Sequence, residues 1–234
     1  MYIYGKNPIK DLVDQKPELI KKIYIDRKKH QSFYDQLLKK NYPVELLKEI
    51  NYQKIFQNIN IQGIIAEIKE PCFLEFEQFI IDSKFLEEDT ILILDKINDP
   101  QNLGSIFRNA VAFGIKTVIL TEHNSAPITA TAIKASAGTW FKLNLISVSS
   151  IGSTIEKLKK NEYWLISTSL DGQEELEKIK DFKKKAIILG NEGKGVRKSL
   201  QDKADLNLKI KMSSNLDSLN VSAAAAIILY TNYK

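Results

Sequence analysis

The chain has 234 residues, 44% of them hydrophobic and 27% charged, with a formal net charge of +5, a single cysteine and two histidines. That length supports one large or two small domains whose core needs neither a cross-link nor a metal. Cys72 alone excludes an internal disulfide, His30 and His123 leave little material for histidine-centred metal sites or catalytic triads, and no apolar run approaches the roughly 20 residues of a membrane span. Residues 2–10 are polar and mixed, with no apolar signal segment, which points to a reducing cytoplasm as the compartment.

Charge is unevenly distributed: residues 1–60 carry +5, residues 61–90 carry −6 and residues 91–234 carry +6. This suggests two units joined near 70–90, with basic surface that either meets a polyanion or solvates exposed helix faces. In the first unit Asn7-Pro8 predicts a helix start, with Asn7 as N-cap and Pro8 at the first helical position, and Ile9, Leu12 and Val13 form its apolar face. Residues 23–25 read as a strand, 33–38 as part of a second helix, 44–50 as a strand or third helix, and 63–68 as a closing strand behind a Gln62-Gly63 turn. Lys28, Lys29 and His30 bunch at a loop or helix start, where point charges can hold a phosphate backbone. Pro71 and the acids that follow it mark 70–89 as a linker carrying a helix.

From residue 90 onward, short apolar runs alternate with helix-like segments: 91–94, 118–120, 143–148, 164–168, 186–189 and 206–210. Near-continuous apolar strands of this kind predict a parallel sheet covered on both faces, with ligands bound beyond the carboxyl ends of its strands. Three polar segments follow such ends. In DKINDPQNLGSIFRN (95–109), Asp99-Pro100 marks a turn, Asn102 is placed to cap the next helix, and Arg108 comes six residues later. LGNEGKG (189–195) matches neither the Walker A nor the dinucleotide fingerprint, and Glu192 would repel phosphate; its glycines still allow close backbone approach to a neutral or cationic ligand. In IKMSSNLDSLNVSAAAA (210–226), Ser218 or Asn220 can cap the last helix, and the small residues admit another backbone or a ligand.

Together, DPQNLGSIFRN (99–109), LGNEGKG (189–195) and SLNVS (218–222) resemble the three motifs of the SpoU family of RNA ribose 2'-O-methyltransferases, in the family's order and at compatible spacing. The likeness extends over essentially the whole chain, because Tyr4-Gly5, the basic unit and Gln62-Gly63-Ile64 look like the family's small N-terminal RNA-binding domain. The branch it most resembles methylates a guanosine of bacterial 23S rRNA; tRNA guanosine 2'-O-methylation, or RNA binding without turnover, is the alternative.

The resemblance implies an α/β fold: a small RNA-binding domain at 1–70, a linker at 71–89, and at 90–234 a parallel-sheet methyltransferase domain of the SPOUT class whose end is drawn into a trefoil knot, a rare exception to unknotted topology. It implies S-adenosylmethionine as cofactor, contacted by Thr168, Leu189, Gly190, Ile210, Met212 and Leu219, and no metal. It further implies an active site of Asn102, Arg108, Glu192, Ser218 and Asn220, and a homodimer that uses the alanine-rich last helix. The family's mechanism gives Arg108 a share in deprotonating the ribose hydroxyl. A guanidinium is hard to deprotonate, so anchoring phosphate and the developing 2'-oxyanion suits it better. Asn102 and Asn220 would orient, and Glu192 would position the arginine or the loop. The chain departs from the family pattern at Ile61, where a histidine often precedes Gln-Gly, and at Lys211, where a proline is common; Asn191 stands at a variable position.

Overall fold

The computed structural model describes residues 1–56, 60–123, 125–169, 172–213 and 218–233. In the first unit β1 (Tyr2–Tyr4), α1 (Lys6–Gln15), β2 (Ile20–Ile25), α2 (Gln31–Lys39), β3 (Val44–Leu46), a short α3 (Tyr52–Ile55) and β4 (Ile64–Ile68) build a sheet ordered β1-β4-β2-β3. β4 is antiparallel to β1 and β2, while β2 and β3 are parallel. The first helix starts two residues earlier than an Asn7 cap requires. Gly5, at φ 96°, takes the cap position and no side chain caps the helix. Asn7 and Pro8 therefore sit inside the first turn, where proline is tolerated because the N–H it lacks would have no intrahelical partner. The 44–50 run divides into β3 and a single 3-10 turn.

After α4 (Phe76–Ser83) come β5 (Asp89–Leu94), α5 (Pro100–Ala112), β6 (Thr117–Thr121), α6 (Ala130–Ala135), β7 (Asn144–Val148), α7 (Ile151–Lys160), β8 (Trp164–Thr168), β9 (Glu174–Glu175), β10 (Lys184–Leu189), α8 (Lys198–Gln201), β11 (Leu206–Lys209) and α9 (Val221–Tyr233). All six apolar runs become strands of one parallel sheet ordered β7-β6-β5-β10-β8-β11-β9. In this sheet only β9 was without a sequence signal among the described residues, since two glutamates present no pattern to read; in the first sheet β1 was likewise not anticipated.

Alternation along the strands sets the layers. Ile91 and Ile93 of β5, with Ala186 and Ile188 of β10, face a cluster formed with α4, α7 and α8; Leu92, Leu94, Ile187 and Leu189 face the opposite cluster with α5 and α9. Both faces are thus covered. On the second face, a Cβ at Gly104 of α5 would lie 2.1 Å from the carbonyl oxygen of Ala132, so the glycine is what lets α5 and α6 touch.

β10 begins two residues before its apolar run, at Lys184 and Lys185, both buried. Backbone carbonyls make this possible: Lys184 Nζ donates to Ser83 O (2.9 Å), and Lys185 Nζ donates to Ile179 O (2.9 Å) and Phe182 O (2.6 Å). Burial lowers the Lys185 pKa, although Glu88 and Asp181 nearby oppose the shift.

The two units share one apolar cluster, which contains Ile9 and Leu12 of α1 together with Ile133 and Trp140. The Lys134 ammonium lies 4.8 Å from the centre of the Tyr4 ring, and a Cβ at Gly138 would stand 3.0 Å from Pro8 Cα. Among the described residues no helix is long and apolar enough to cross a membrane, and no group of three or more His, Cys, Asp or Glu side chains is placed to hold a metal ion.

Candidate active site

The strand order reverses at β5: β6 and β7 extend to one side, while β10, which follows them in sequence, pairs on the other. Leu94 and Leu189 are partners in register, and Asp95 N donates to Leu189 O (2.8 Å), so the loops that leave β5 and β10 run side by side. A crevice at such a reversal is where open α/β sheets bind ligands.

Hydrogen bonds join all three motif segments in one chain. Glu192 Oε1 accepts from Asn102 Nδ2 (3.2 Å) and from the Asp99 amide (3.2 Å). Asn102 Oδ1 in turn accepts from Asn220 Nδ2 (3.0 Å), and Asn220 Oδ1 accepts from the amide (2.9 Å) and hydroxyl (2.6 Å) of Ser222. Asn220 is therefore the cap of α9, and Ser218 is exposed outside this chain. Asn109 Nδ2, donating to Ser222 O (2.9 Å), ties α5 to the same helix start.

One expectation changes, and one alternative left open is resolved. Asn102 does not cap α5. Asp99 does, accepting from the Gln101 amide (2.8 Å) with Pro100 at the first helical position, and this leaves the buried Asn102 side chain free to bridge Glu192 and Asn220. Glu192 positions the loop and not an arginine, because its carboxylate is held by Asn102 and Asn191 and by the amides of Asn98 and Asp99. Arg108 is exposed, with no hydrogen-bond or ion-pair partner among the described residues.

Asn191, which attracted no role from sequence, organises the glycine loop. Its Nδ2 donates to Lys96 O (3.0 Å) and Glu192 Oε2 (3.1 Å), while its Oδ1 accepts from the amides of Gly193 (3.0 Å) and Lys194 (3.3 Å). Its backbone also pairs with Gly195 in both directions. Asp95 and Arg197 form a further link between the loops (Nε to Oδ2, 2.8 Å). Opposite charges just beyond two strand ends were the available signal, but sequence does not say that β5 and β10 are neighbours.

Partial burial, the largest influence, would raise the Glu192 pKa; hydrogen bonds from its own amide, from Asn102 and from the Asp99 and Asn98 amides outweigh it, and the net shift is downward. A depressed carboxylate stabilises the fold above its unfolded pKa of about 4.3 and loses that contribution as pH falls through the folded value. Glu192 is thus fully ionised across the neutral range. The pH-rate profiles of the wild type and Glu192→Gln should run parallel between about pH 5.5 and 9, differing only in height. A limb present in one profile and absent from the other would contradict this ionisation state.

Thr168 ends β8, Leu189 ends β10 with Gly190 next after it, and Ile210 and Met212 follow β11, so these residues stand at or just beyond the carboxyl ends of three adjacent strands. Leu189 is buried, while Ile210, Met212 and Leu219 are half-buried. Partly open apolar side chains next to strand-end backbone suit an adenine ring, which has apolar faces and a hydrogen-bonding edge. A Cβ at Gly190 would lie 2.1 Å from the backbone of Gly195 and Val196, so the loop folds directly back over this residue. The residues present fit S-adenosylmethionine.

Residues 89–230 match the SpoU rRNA Methylase family, and residues 2–73 match the RNA 2'-O ribose methyltransferase substrate binding domain. A Mycoplasma pneumoniae protein named as an uncharacterized tRNA/rRNA methyltransferase is 33% identical over 232 residues, 98% of this chain and 95% of its own. A Staphylococcus aureus protein named for the TrmH family of tRNA/rRNA methyltransferases is 34% identical over 84% of this chain and 85% of its own. In fold, the chain is similar to the SpoU methyltransferase AviRb of Streptomyces viridochromogenes in complex with AdoMet (TM-score 0.79, 21% identity, 100% of this chain and 89% of that one). It is also similar to an AdoMet-bound rRNA methyltransferase of Sinorhizobium meliloti (TM-score 0.78, 22% identity, 99% and 85%). With motifs, site and fold in agreement, the chain belongs to the SpoU rRNA methylase family and is an S-adenosylmethionine-dependent RNA 2'-O-ribose methyltransferase.

Proposed function

We propose that this enzyme methylates the 2'-hydroxyl of a guanosine in 23S rRNA, in the cytoplasm and as a homodimer. The observation that carries the chemistry is the Glu192–Asn102–Asn220 chain, which ties the three motif segments together near the start of α5. When bound, S-adenosylmethionine supplies an electrophilic methyl group. The protein must hold one ribose oxygen in line with it, and such positioning is worth about 7–11 kcal/mol of barrier. Asn102 and Asn220, locked by their mutual hydrogen bond, orient that oxygen. Glu192 fixes Asn102 from behind, and Arg108 supplies a permanent positive charge to the adjoining phosphate and to the oxyanion that forms as the 2'-hydroxyl loses its proton. Ser218, exposed at the entrance to α9, is assigned to the substrate side.

The substrate is argued from the first unit, for which we keep the boundaries 1–70, 71–89 and 90–234. Asp26 accepts from the amides of Lys28 (3.0 Å) and Lys29 (3.4 Å), and His30 Nε2 lies 2.7 Å from Gln62 O, so the basic turn and the Gln62-Gly63 turn form one surface. Such a second docking surface favours a large structured RNA over tRNA. Mass spectrometry of 23S rRNA and tRNA from cells with and without the protein should show loss of one 2'-O-methylguanosine from 23S rRNA alone; a loss confined to tRNA would overturn the substrate assignment. Because the two units share a core cluster, the RNA role is better tested by charge reversal than by truncation. Lys28→Glu with Lys29→Glu should make the salt dependence of RNA binding shallower by about one per phosphate contact removed.

Two further features support the family reading. β10 enters between β5 and β8 although it follows β8 in sequence, an out-of-order insertion that supports the trefoil knot the family implies, and a Cβ at Gly172 would lie 2.7 Å from the Leu208 carbonyl, so the approach to β9 packs tightly on β11. On α9, Ala223 is exposed beside Ile227 (39%), Tyr230 (47%) and Tyr233 (65%), an apolar strip suited to a second copy of the helix. Light scattering at micromolar concentration should give twice the chain mass; a monomer there would count against the dimer.

A further inference from the structure

Arg197 and Asp95 lie 102 residues apart in sequence and meet at the rim of the site. Asp95 directly follows β5 and is only 1% exposed, whereas the Arg197 side chain is 44% exposed. Arg197 Nε donates to Asp95 Oδ2 (2.8 Å), and Nη2 stands 2.8 Å from Oδ1, an ion-pair distance without hydrogen-bond alignment. Arg197 comes two residues after Gly195, where the loop carrying Glu192 closes on itself through the Asn191–Gly195 bridge.

The contacts that Glu192 makes outside its own loop are long: 3.5 Å from the Asn98 amide, 3.2 Å from the Asp99 amide and 3.2 Å from Asn102 Nδ2. Hydrogen bonds at that length are weak, and a loop displacement of well under an ångström would break them. By themselves they hold the glycine loop against the β5 loop only loosely. The charge-assisted Arg197–Asp95 contact is shorter and stronger, and it joins the same two loops. We propose that Arg197 and Asp95 are positioning residues for methyl transfer: their contact fixes the glycine loop so that Glu192 can hold Asn102 in its working orientation. This inference rests on the role given to Glu192 above.

The test is a double-mutant cycle on the full chain, with kcat, KM for an rRNA fragment, S-adenosylmethionine affinity and thermal unfolding measured for each variant. Arg197→Gln should lower kcat about 10²-fold while KM and cofactor affinity change by less than about threefold, the signature of lost positioning. Arg197→Lys, which retains a point charge, should recover part of that loss. The decisive result is the double variant Arg197→Gln with Glu192→Gln: if Arg197 acts through Glu192, it should be no slower than Glu192→Gln alone. Multiplicative losses, or a kcat for Arg197→Gln close to wild type while Glu192→Gln is slow, would overturn the inference and leave Glu192 in place. Wild-type kcat in Glu192→Gln would overturn the Glu192 assignment and this inference with it. Should Arg197→Gln fail to fold, Arg197→Lys takes its place in the cycle and the same comparison decides.

Discussion

Arg108→Ala should abolish methyl transfer, lowering turnover by about 10³-fold, with S-adenosylmethionine affinity and thermal stability unchanged. The two halves of this expectation have separate physical grounds. Turnover falls because the 2'-oxygen gains negative charge as its proton leaves, and the fixed guanidinium is the cation assigned to that charge. Binding and stability persist because the Arg108 side chain is exposed and has no hydrogen-bond or ion-pair partner among the described residues, so its removal breaks no such bond. Arg108→Lys should fail nearly as badly, since a strongly hydrated point charge does not reproduce a planar fork that can span a phosphate and the adjacent oxygen. Single-turnover kinetics with calorimetry on the same preparations separates the effects. Most of the wild-type rate surviving in Arg108→Ala would remove Arg108 from the active site.

The second large effect is expected in the glycine loop, where three glycines make different demands. At Gly190 a Cβ would stand 2.1 Å from backbone atoms of Gly195 and Val196, and backbone cannot swing aside as a side-chain tip can. Gly190→Ala must therefore open the loop, at a cost of about 3 kcal/mol or more, beyond the usual range for an added methyl group. In a chain of this size that corresponds to a fall of about 6–12 °C in Tm. Cofactor affinity should fall at least about tenfold, because the opened loop also carries Glu192 and the end of β10. Gly195, at φ +65° with nothing near its Cβ position, demands only the left-handed backbone, so Gly195→Ala should cost about 1–2 kcal/mol. Gly193 makes neither demand: its nearest neighbour would be Asn191 Oδ1 at 3.7 Å. Gly193→Ala should be close to neutral in Tm and in cofactor titration. Equal effects at all three positions would show that the loop tolerates opening and that steric closure at Gly190 is not what shapes the site.

What was legible in the sequence follows from how burial is written along a chain. Strands covered on both faces need apolar residues at nearly every position, so runs such as 91–94 and 164–168 identify themselves without knowledge of their neighbours. The motif residues were legible as a resemblance: Asn102, Glu192 and Asn220 do meet, at 3.2 and 3.0 Å. Local rules were weaker at helix starts, where several polar residues compete for one cap. Asp99 won over Asn102 because Pro100 fixes the first helical residue, and Gly5 took the place expected for Asn7.

The tertiary structure alone decided which strand ends are neighbours. β10 lies between β5 and β8, although it follows β8 in sequence, and this insertion sets Asp95 beside Arg197, Lys96 beside Asn191, and the Asp99 amide beside Glu192. No periodicity encodes such pairings. Each run records only its own burial, and the partner across a sheet, 95 residues distant for β5 and β10, is selected by how all the faces pack at once. The two lysines that open β10 show the same limit from the other side: in sequence they stand before the apolar run as polar residues, and in the fold three carbonyl oxygens outside β10 allow them to be buried.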